Sequence, residues 1–262
     1  AARVVHELRR AWWKITRQAR MAETLVSPAL APVAALRNKG PVEYRIEAHA
    51  TGAPLVSVVI PCFNYGRFVR EAVESVQKQT IKDLEIIVVE GGSNDGETPA
   101  IVASLADEGV RVLARTERHR AGSNRNFGIE QARGKYICCL DADDKIDTTY
   151  IEKAVYLMET RGYDVVSTSV EQFENVSDGY NVADVVDLDV LLKGNQVATC
   201  GLFKRDLWRM AGGYKDHGDG SSKTHIHEDW EFWIRLAALG ARFYNIRRER
   251  LFKYRVHATG SL

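Results

Sequence analysis

The chain has 262 residues, 45% hydrophobic, 27% charged and 9% aromatic. That balance is one of a globular protein, which excludes a disordered chain, a collagen and a disulfide-stapled mini-protein. The net charge of +1 argues against a generic nucleic-acid binder, and the length fits one large domain or two small ones with a core of their own.

The small net charge hides an asymmetry. Residues 1–40 carry eight Lys or Arg against two Glu, a charge of +6, and residues 41–262 carry −5. In the leader, Val5, Leu8, Trp12, Ile15, Ala19 and Ala22 recur at three- and four-residue spacing, which predicts a basic amphipathic helix. Such a stripe fits two roles. It can pack on the body or on a domain upstream, the commoner case, or residues 3–22 can make a peripheral contact with an anionic membrane. Pro28, Pro32 and Asn38 to Pro41 read as a linker. No apolar run approaches the ~18–20 residues of a membrane span, and a cleaved signal is not expected. A cytoplasmic location is expected, with the leader as the only candidate membrane contact.

From residue 55 strands and helices alternate. Leu55 to Ile60 is a short β-branched run that suits a strand buried on both faces. Phe68, Val69, Ala72, Val73 and Val76 predict a helix over 67–79, and Leu84 to Val89 a second strand. Thr98 and Pro99 open a helix, Thr as cap and Pro at the first helical position. Val110 to Leu113 is a third strand, Asn124 to Ala132 a helix, and Lys135 to Leu140 a fourth strand. Thr148 or Thr149 caps a helix to about Thr160, and Val165 to Val170 is a further strand. Cys138 and Cys139 are adjacent in the fourth strand, so they point to opposite faces; with Cys62 and Cys200 they read as free buried thiols. This alternation predicts an α/β fold with a mainly parallel sheet flanked by helices, and ligands at the carboxyl ends of its strands.

Three of those strand ends carry polar clusters: Pro61-Cys62-Phe63-Asn64, Glu90 to Gly96, and Asp141-Ala142-Asp143-Asp144. Carboxylates crowded at the end of a buried strand repel one another and become tolerable around a hard divalent cation. A solvated turn with Asp caps is the alternative. The chain lacks GxxxxGK[ST], which disfavours a P-loop NTPase, and lacks GxGxxG after the first strand, which disfavours a dinucleotide-binding domain.

The runs VSVVIPCFNYGRFVREAVESVQKQT, EIIVVEGGSNDGET and RNFGIEQARGKYICCLDADD resemble the inverting family 2 glycosyltransferases of the GT-A fold. GLFKRDLWRMAGGY, HEDWEFWIRLAALG and the terminal YRVHATGS resemble the acceptor half and closing segment of the same family. The resemblance spans residues 55–261 in the expected order. It divides the body, residues 41–262, into a nucleotide-sugar half at 55–145 and an acceptor half at 146–262.

The resemblance implies transfer of a sugar from a nucleotide-diphosphate sugar, a UDP-sugar being the expected donor, to a carbohydrate, lipid-linked or other hydroxyl acceptor. The cofactor it implies is a divalent metal ion, Mg²⁺ or Mn²⁺. Asp141 and Asp143 match the family's DXD, the first expected near the ribose and the last on the metal. Pro61, Phe63 and Asn64 stand where the family cradles the nucleotide, Glu90 matches a carboxylate that meets base or ribose, and Arg125 matches a nucleotide-contacting arginine. Glu228-Asp229 matches the Glu-Asp pair, with Asp229 as the general base and Glu228 on the acceptor side. His257 matches a histidine that approaches the metal or diphosphate.

Departures bear on donor choice. The family's Asp-Asp-Gly-Ser is Glu90-Gly91-Gly92-Ser93, whose Glu reaches one methylene further. Arg118, His119 and Arg120 make the loop before Arg125 unusually basic; they serve to neutralise a diphosphate or to balance the acidic cluster. Two further functions stay open on these residues: a nucleotide-binding module without turnover, and a sugar nucleotidyltransferase, for which Cys62 to Arg67 is a poor glycine-rich loop.

In the acceptor half, Glu228 and Asp229 open a helix whose N-terminus favours acids on its own account. Trp230 and Trp233 are candidate acceptor-side platforms for a sugar face, or core residues. Tyr214 has the same two readings. His217, His225 and His227 sit close in sequence, and His225-x-His227 with Glu228 invites a zinc reading, weakened by the absence of a nearby cysteine. Gly218, Gly220, Ser221 and Ser222 mark a loop, read as a closing lid or a plain surface loop. Residues 171–196 carry six acids and one Lys and join the two halves; acceptor choice is expected to depend on them.

Overall fold

A computed structural model describes residues 52–176, 178–215 and 227–258. The leader with its stripe at 3–22, and the loop with His217 and His225, lie outside the described residues.

The first half runs β1 (Val56–Cys62), α1 (Gly66–Gln77), β2 (Leu84–Glu90), α2 (Thr98–Ser104), β3 (Arg111–Ala114), α3 (Ala121–Gln131) and β4 (Tyr136–Cys139). The second runs β5 (Lys145–Ile146), α4 (Tyr150–Arg161), β6 (Val165–Thr168), β7 (Val170–Glu174), β8 (Gly179–Tyr180), α5 (Leu188–Leu191), β9 (Leu202–Lys204), α6 (Arg205–Ala211), α7 (Glu228–Ala238), β10 (Phe243–Ile246) and β11 (Phe252–Val256). A seven-stranded sheet has the order β10-β6-β9-β4-β1-β2-β3, and a four-stranded sheet the order β5-β11-β7-β8. The large sheet is mainly parallel, as expected; β9 alone runs against its neighbours β4 and β6.

From β1 the chain steps outward through β2 to β3, then returns to place β4 on the other side of β1. That reversal opens a crevice at the carboxyl ends of β1 and β4. Pairing of these strands stops at Val59 and Cys139, with Leu140 N–H still donating to the Val59 carbonyl. Pro61, two residues on, faces the same side, where β4 has turned away. Its missing N–H therefore breaks no ladder bond.

The sheet is covered on both faces. Val58, Ile60 and Cys138 pack with α1 and α4 side chains such as Val73 and Ile151, while Val59, Cys139 and Ile129 pack with Phe232 and Trp233 from α7. Adjacent cysteines on opposite faces follow from the strand's period of two. Each buried Val or Ile contributes about 1.5–3 kcal/mol of burial free energy. Gly128 lets α3 settle on the sheet: a Cβ there would lie 2.4 Å from Val59 Cγ1.

Three expectations change. The run 165–170 is two strands, because the chain crosses between sheets at Ser169. The Ser169 hydroxyl donates to the Arg247 carbonyl at 2.8 Å and accepts the Val182 N–H at 3.2 Å. Thr98 is not the cap of α2: Asp95 accepts the N–H groups of Glu97 and Thr98, and the Thr98 hydroxyl accepts the Gly66 N–H at 2.8 Å, linking α2 to α1. Thr149 does hold the N-cap position of α4, but it makes no side-chain cap bond, and Asp147 accepts its N–H. A carboxylate two or three residues upstream is the stronger acceptor in both turns.

Candidate active site

The three polar strand ends meet in the crevice, clipped together by side chains. Asn64 sits in the left-handed region at φ 56°, which its short polar side chain tolerates. Its Nδ2 donates to Asn94 Oδ1 at 2.8 Å and its Oδ1 accepts the Asn94 N–H at 3.0 Å. Asn64 thus joins the loops after β1 and β2. Phe63 beside it is half-buried, with the Arg118 guanidinium 4.8 Å from its ring centre. Pro61 is buried within β1.

Glu90 folds back on its own loop. Its carboxylate accepts the N–H of Ser93 at 2.7 Å and of Gly92 at 3.2 Å. The two glycines after it are where the β3–α3 loop and the first turn of α3 press in. A Cβ on Gly92, at φ +79°, would stand 2.2 Å from the Glu117 carbonyl oxygen, and one on Gly91 2.4 Å from Asn124 Nδ2. Gly91, where the family carries Asp, stands against the Asn124 side chain of α3.

Arg125, on α3, is 3% exposed. Its Nη2 donates to Asp141 Oδ1 at 2.6 Å, and its Nη1 donates to Glu228 Oε1. Burial opposes the charge, but Asp141 and Glu228 outweigh it and hold the guanidinium's pKa well above its ordinary value. The buried Nε has no hydrogen-bond partner. Asn126 completes the link between halves: its Oδ1 accepts the Tyr214 N–H at 2.8 Å and Trp208 Nε1 at 2.9 Å. The resemblance implied Arg125 on the nucleotide and Glu228 on the acceptor side; the structure brings them into one ion cluster with Asp141.

Asp143 lies beside that cluster, with its Oδ2 2.7 Å from His257 Nε2. His257 packs between Tyr65 and Phe68, ring centres 5.7 and 5.3 Å away. Asp144 is buried and accepts the Arg255 N–H at 2.8 Å. Burial, then Asp141 and Asp143, raise the Asp144 pKa well above the carboxylate range. Burial also raises Asp141, with Arg125 opposing and Asp143 adding.

Arg255 is a site residue whose role was not visible in the sequence. It is 3% exposed, with its guanidinium over the rings of Phe68 and Phe173. Its Nε donates to the Asp143 carbonyl at 2.7 Å, and its Nη groups pair with Glu71 and Glu174. It fixes the acidic loop against β11, two residues before His257.

Asp143 and His257 offer one carboxylate and one imidazole, next to Asp141, which Arg125 pairs, and Asp144, which accepts the Arg255 N–H. Among the described residues no three His, Cys, Asp or Glu side chains gather into a complete metal site. The donor set suits a hard divalent cation that takes its remaining ligands from a diphosphate and water. His225, needed for the zinc alternative, lies outside the described residues.

Asp229 stands in the first turn of α7. Its Oδ2 accepts Asn195 Nδ2 at 3.2 Å and the Thr199 hydroxyl at 3.4 Å. Burial raises its pKa; Arg125 opposes, and Glu228 adds to the rise. A carboxylate with a raised pKa is a better proton acceptor. The expectation that Trp233 lines the acceptor side is corrected: it is fully buried against Phe203 and Phe232. Trp230 is half-buried, with its indole N–H donating to the Leu191 carbonyl at 2.7 Å. Tyr214 is core, 3% exposed, its ring 4.3 Å from that of Phe232.

The sequence profile of Glycosyl transferase family 2 matches residues 57–222. Glycosyltransferase GlyG of Streptococcus pneumoniae serotype 4 is 36% identical over 126 residues, 48% of this chain and 42% of its own length. This chain therefore spans less than half of that relative. TarS 1-349 of S. aureus, solved in complex with UDP-GlcNAc, superposes with a TM-score of 0.66 at 17% identity, over 77% of this chain and 58% of that one. Mannosyltransferase PcManGT from Pyrobaculum calidifontis, in complex with GDP-Man and Mn²⁺, superposes at 0.60 with 20% identity, over 92% and 68%. These likenesses show the fold: the sheet and its helices have the GT-A glycosyltransferase architecture.

Proposed function

The chain belongs to glycosyl transferase family 2, and from that premise we propose that it moves a sugar from a nucleotide-diphosphate sugar to an acceptor hydroxyl, with inversion and with help from a divalent cation. The observation that carries this is the meeting, at the carboxyl ends of β1, β2 and β4, of the Asp143–His257 pair and the Asp141–Arg125–Glu228 cluster, with Asp229 next to Glu228. A UDP-sugar is the donor we expect; solved neighbours hold UDP-GlcNAc or GDP-Man.

In this mechanism the base and ribose lie along Pro61, Phe63, Glu90 and Asp141. Asp143 and His257 would hold Mg²⁺ or Mn²⁺, which when bound offsets charge on the leaving diphosphate. Asp229 takes the proton of the acceptor hydroxyl. The acceptor oxygen forms its bond to the anomeric carbon from the side opposite the diphosphate, the bond to the phosphate oxygen breaks, and nucleoside diphosphate leaves. One displacement inverts the anomeric centre. Asn195 and Thr199 orient the Asp229 carboxylate. Arg125 holds Asp141 and Glu228 in register, keeping donor and base at a fixed spacing.

No helix among the described residues is long and apolar enough to cross a membrane. We place the enzyme in the cytoplasm, with residues 3–22 as its candidate contact with a membrane. The acceptor is a carbohydrate, lipid-linked or other hydroxyl compound, and no nucleic acid is involved. A donor screen with Mg²⁺ or Mn²⁺ tests the proposal: nucleoside diphosphate release is expected from one or a few nucleotide-sugars, with loss in Asp143→Asn and Asp229→Asn. Wild-type release by both variants would refute it. Pyrophosphate release from a nucleoside triphosphate and a sugar phosphate would replace it with nucleotidyl transfer, and donor binding without release with a non-catalytic module.

A further inference from the structure

Of the two tryptophans expected as sugar platforms, Trp233 is core and Trp230 is half-buried with its indole N–H bound to the Leu191 carbonyl. Among the described residues three tyrosines are exposed: Tyr156 at 47%, Tyr180 at 53% and Tyr244 at 36%. Tyr156 and Tyr244 line a groove with Glu152 and Glu249 on α4 and beside β10. Tyr180 stands elsewhere, within the acidic segment that joins the two halves.

Strand register fixes its direction. Ile146, Phe252, Val170 and Tyr180 are partners in one row across the four-stranded sheet. Partners in a row share a face. The first three are 3%, 3% and 1% exposed and belong to the core. Tyr180 extends this buried row past the sheet edge, where its ring emerges. Tyr254, two residues after Phe252, shares the face. The residues just after it tie this edge to the base: the Ala183 N–H donates to Gln196 Oε1 at 2.9 Å, and the neighbouring Asn195 donates through Nδ2 to Asp229 Oδ2 at 3.2 Å. Burial, then Tyr254, Asp229 and Asp144, push the Tyr180 pKa up. The hydroxyl makes no hydrogen bond among the described residues. Val176 and Val185, 40% and 67% exposed, flank it in the same segment. An exposed aromatic face with a free hydroxyl, on the segment tied to the carboxylate base, suits a pyranose, whose C–H face stacks on the ring while its hydroxyls reach the polar groups. The acids of this segment, Asp178, Asp184 and Asp189 among them, disfavour an anionic ligand.

We propose that Tyr180 is the acceptor platform: its ring carries the C–H face of an uncharged pyranoside whose attacking hydroxyl is presented to Asp229. This rests on the glycosyl-transfer function proposed above. The test uses the donor found in the screen and a panel of p-nitrophenyl α- and β-hexopyranosides as acceptors. Transfer to glycoside and hydrolysis of donor by water are measured together in wild type, Tyr180→Ala, Tyr180→Phe, Tyr180→Trp and, as a control, Tyr156→Ala. Expected is a transfer-to-hydrolysis ratio about tenfold lower in Tyr180→Ala, with acceptor KM raised, and most of the ratio retained in Phe and Trp. The Tyr156→Ala ratio should equal wild type. A wild-type ratio in Tyr180→Ala, equal losses in Phe and Ala, or a wild type that hydrolyses donor yet glycosylates no hexopyranoside would overturn the platform while leaving the transferase function standing. Absence of nucleotide release from every donor would instead refute the transferase function, and the platform falls with it.

Discussion

His257 and Asp143 are 114 positions apart in sequence, and His257 Nε2 lies 2.7 Å from Asp143 Oδ2. The contact closes the acidic loop after β4 with the residue just past β11. It gives the loop an imidazole whose orientation Tyr65 and Phe68 fix. If the pair holds the cation, Asp143→Asn abolishes the rise in melting temperature that Mn²⁺ gives the wild type with nucleoside diphosphate, and His257→Asn reduces it. An undiminished rise in Asp143→Asn would mean that the cation sits elsewhere.

Arg255 acts one step behind this pair, through the Asp143 carbonyl and the Asp144 carboxylate. Lysine keeps the charge but cannot serve Asp143, Glu71 and Glu174 at once. Arg255→Lys is expected to weaken Mn²⁺ affinity about 10–100-fold in calorimetric titration, the usual range for partners behind a metal ligand. Unchanged affinity with lowered stability would make Arg255 a packing residue only.

Arg125 is the buried counter-charge of two carboxylates from opposite halves. Arg125→Met takes the guanidinium away from Asp141 and Glu228, and a loss of about 3–5 kcal/mol is expected in urea unfolding. Adding Glu228→Gln should restore part of that loss. A double variant no more stable than the single one would show that the Glu228 contact is not the source.

Asp229 sets a pH dependence whose sign is fixed by its raised pKa. The folded state holds the proton more tightly than the unfolded chain, so stability falls as pH rises from the ordinary value of 3.8 through the folded value. As base the group works only when ionised, so the acid limb of kcat/KM lies above 3.8. Asp229→Asn should melt higher than wild type at pH 7 while transfer falls about 10²–10⁴-fold. A lower melting point, or an acid limb at the ordinary carboxylate value, would contradict this.

Gly92 combines a positive φ with a backbone oxygen where its Cβ would be. Gly92→Ala is expected to destabilise by about 1–3 kcal/mol and to raise donor KM more than it lowers kcat, because the loops it disturbs face the nucleotide. Wild-type donor KM would separate this packing from nucleotide binding.

Much of this was legible from local pattern. The β-branched runs of β1 and β2 and the helical spacing of α1 mark the nucleotide half, and the resemblance singles out Asp141, Asp143, Asp229 and His257. What stayed hidden depends on contacts between distant segments. Nothing near Arg125 announces Glu228, 103 residues away. Ser169 carries no break signal, so the switch between sheets looks like one strand. Trp230 and Trp233 sit three apart on one helix, and only the packing of α7 on Phe203 decides that Trp233 turns inward. Glu90 could be placed by resemblance, but its return to accept the N–H groups of Gly92 and Ser93 could not.

The central claim is a single displacement with Asp229 as base, and donor hydrolysis followed by proton NMR tests it without an acceptor in hand. With an α-linked nucleotide-sugar and Mn²⁺, the first free sugar seen should be the β-anomer, before mutarotation, and Asp229→Asn should release almost none. An α-anomer appearing first, or undiminished release by Asp229→Asn, would contradict the account.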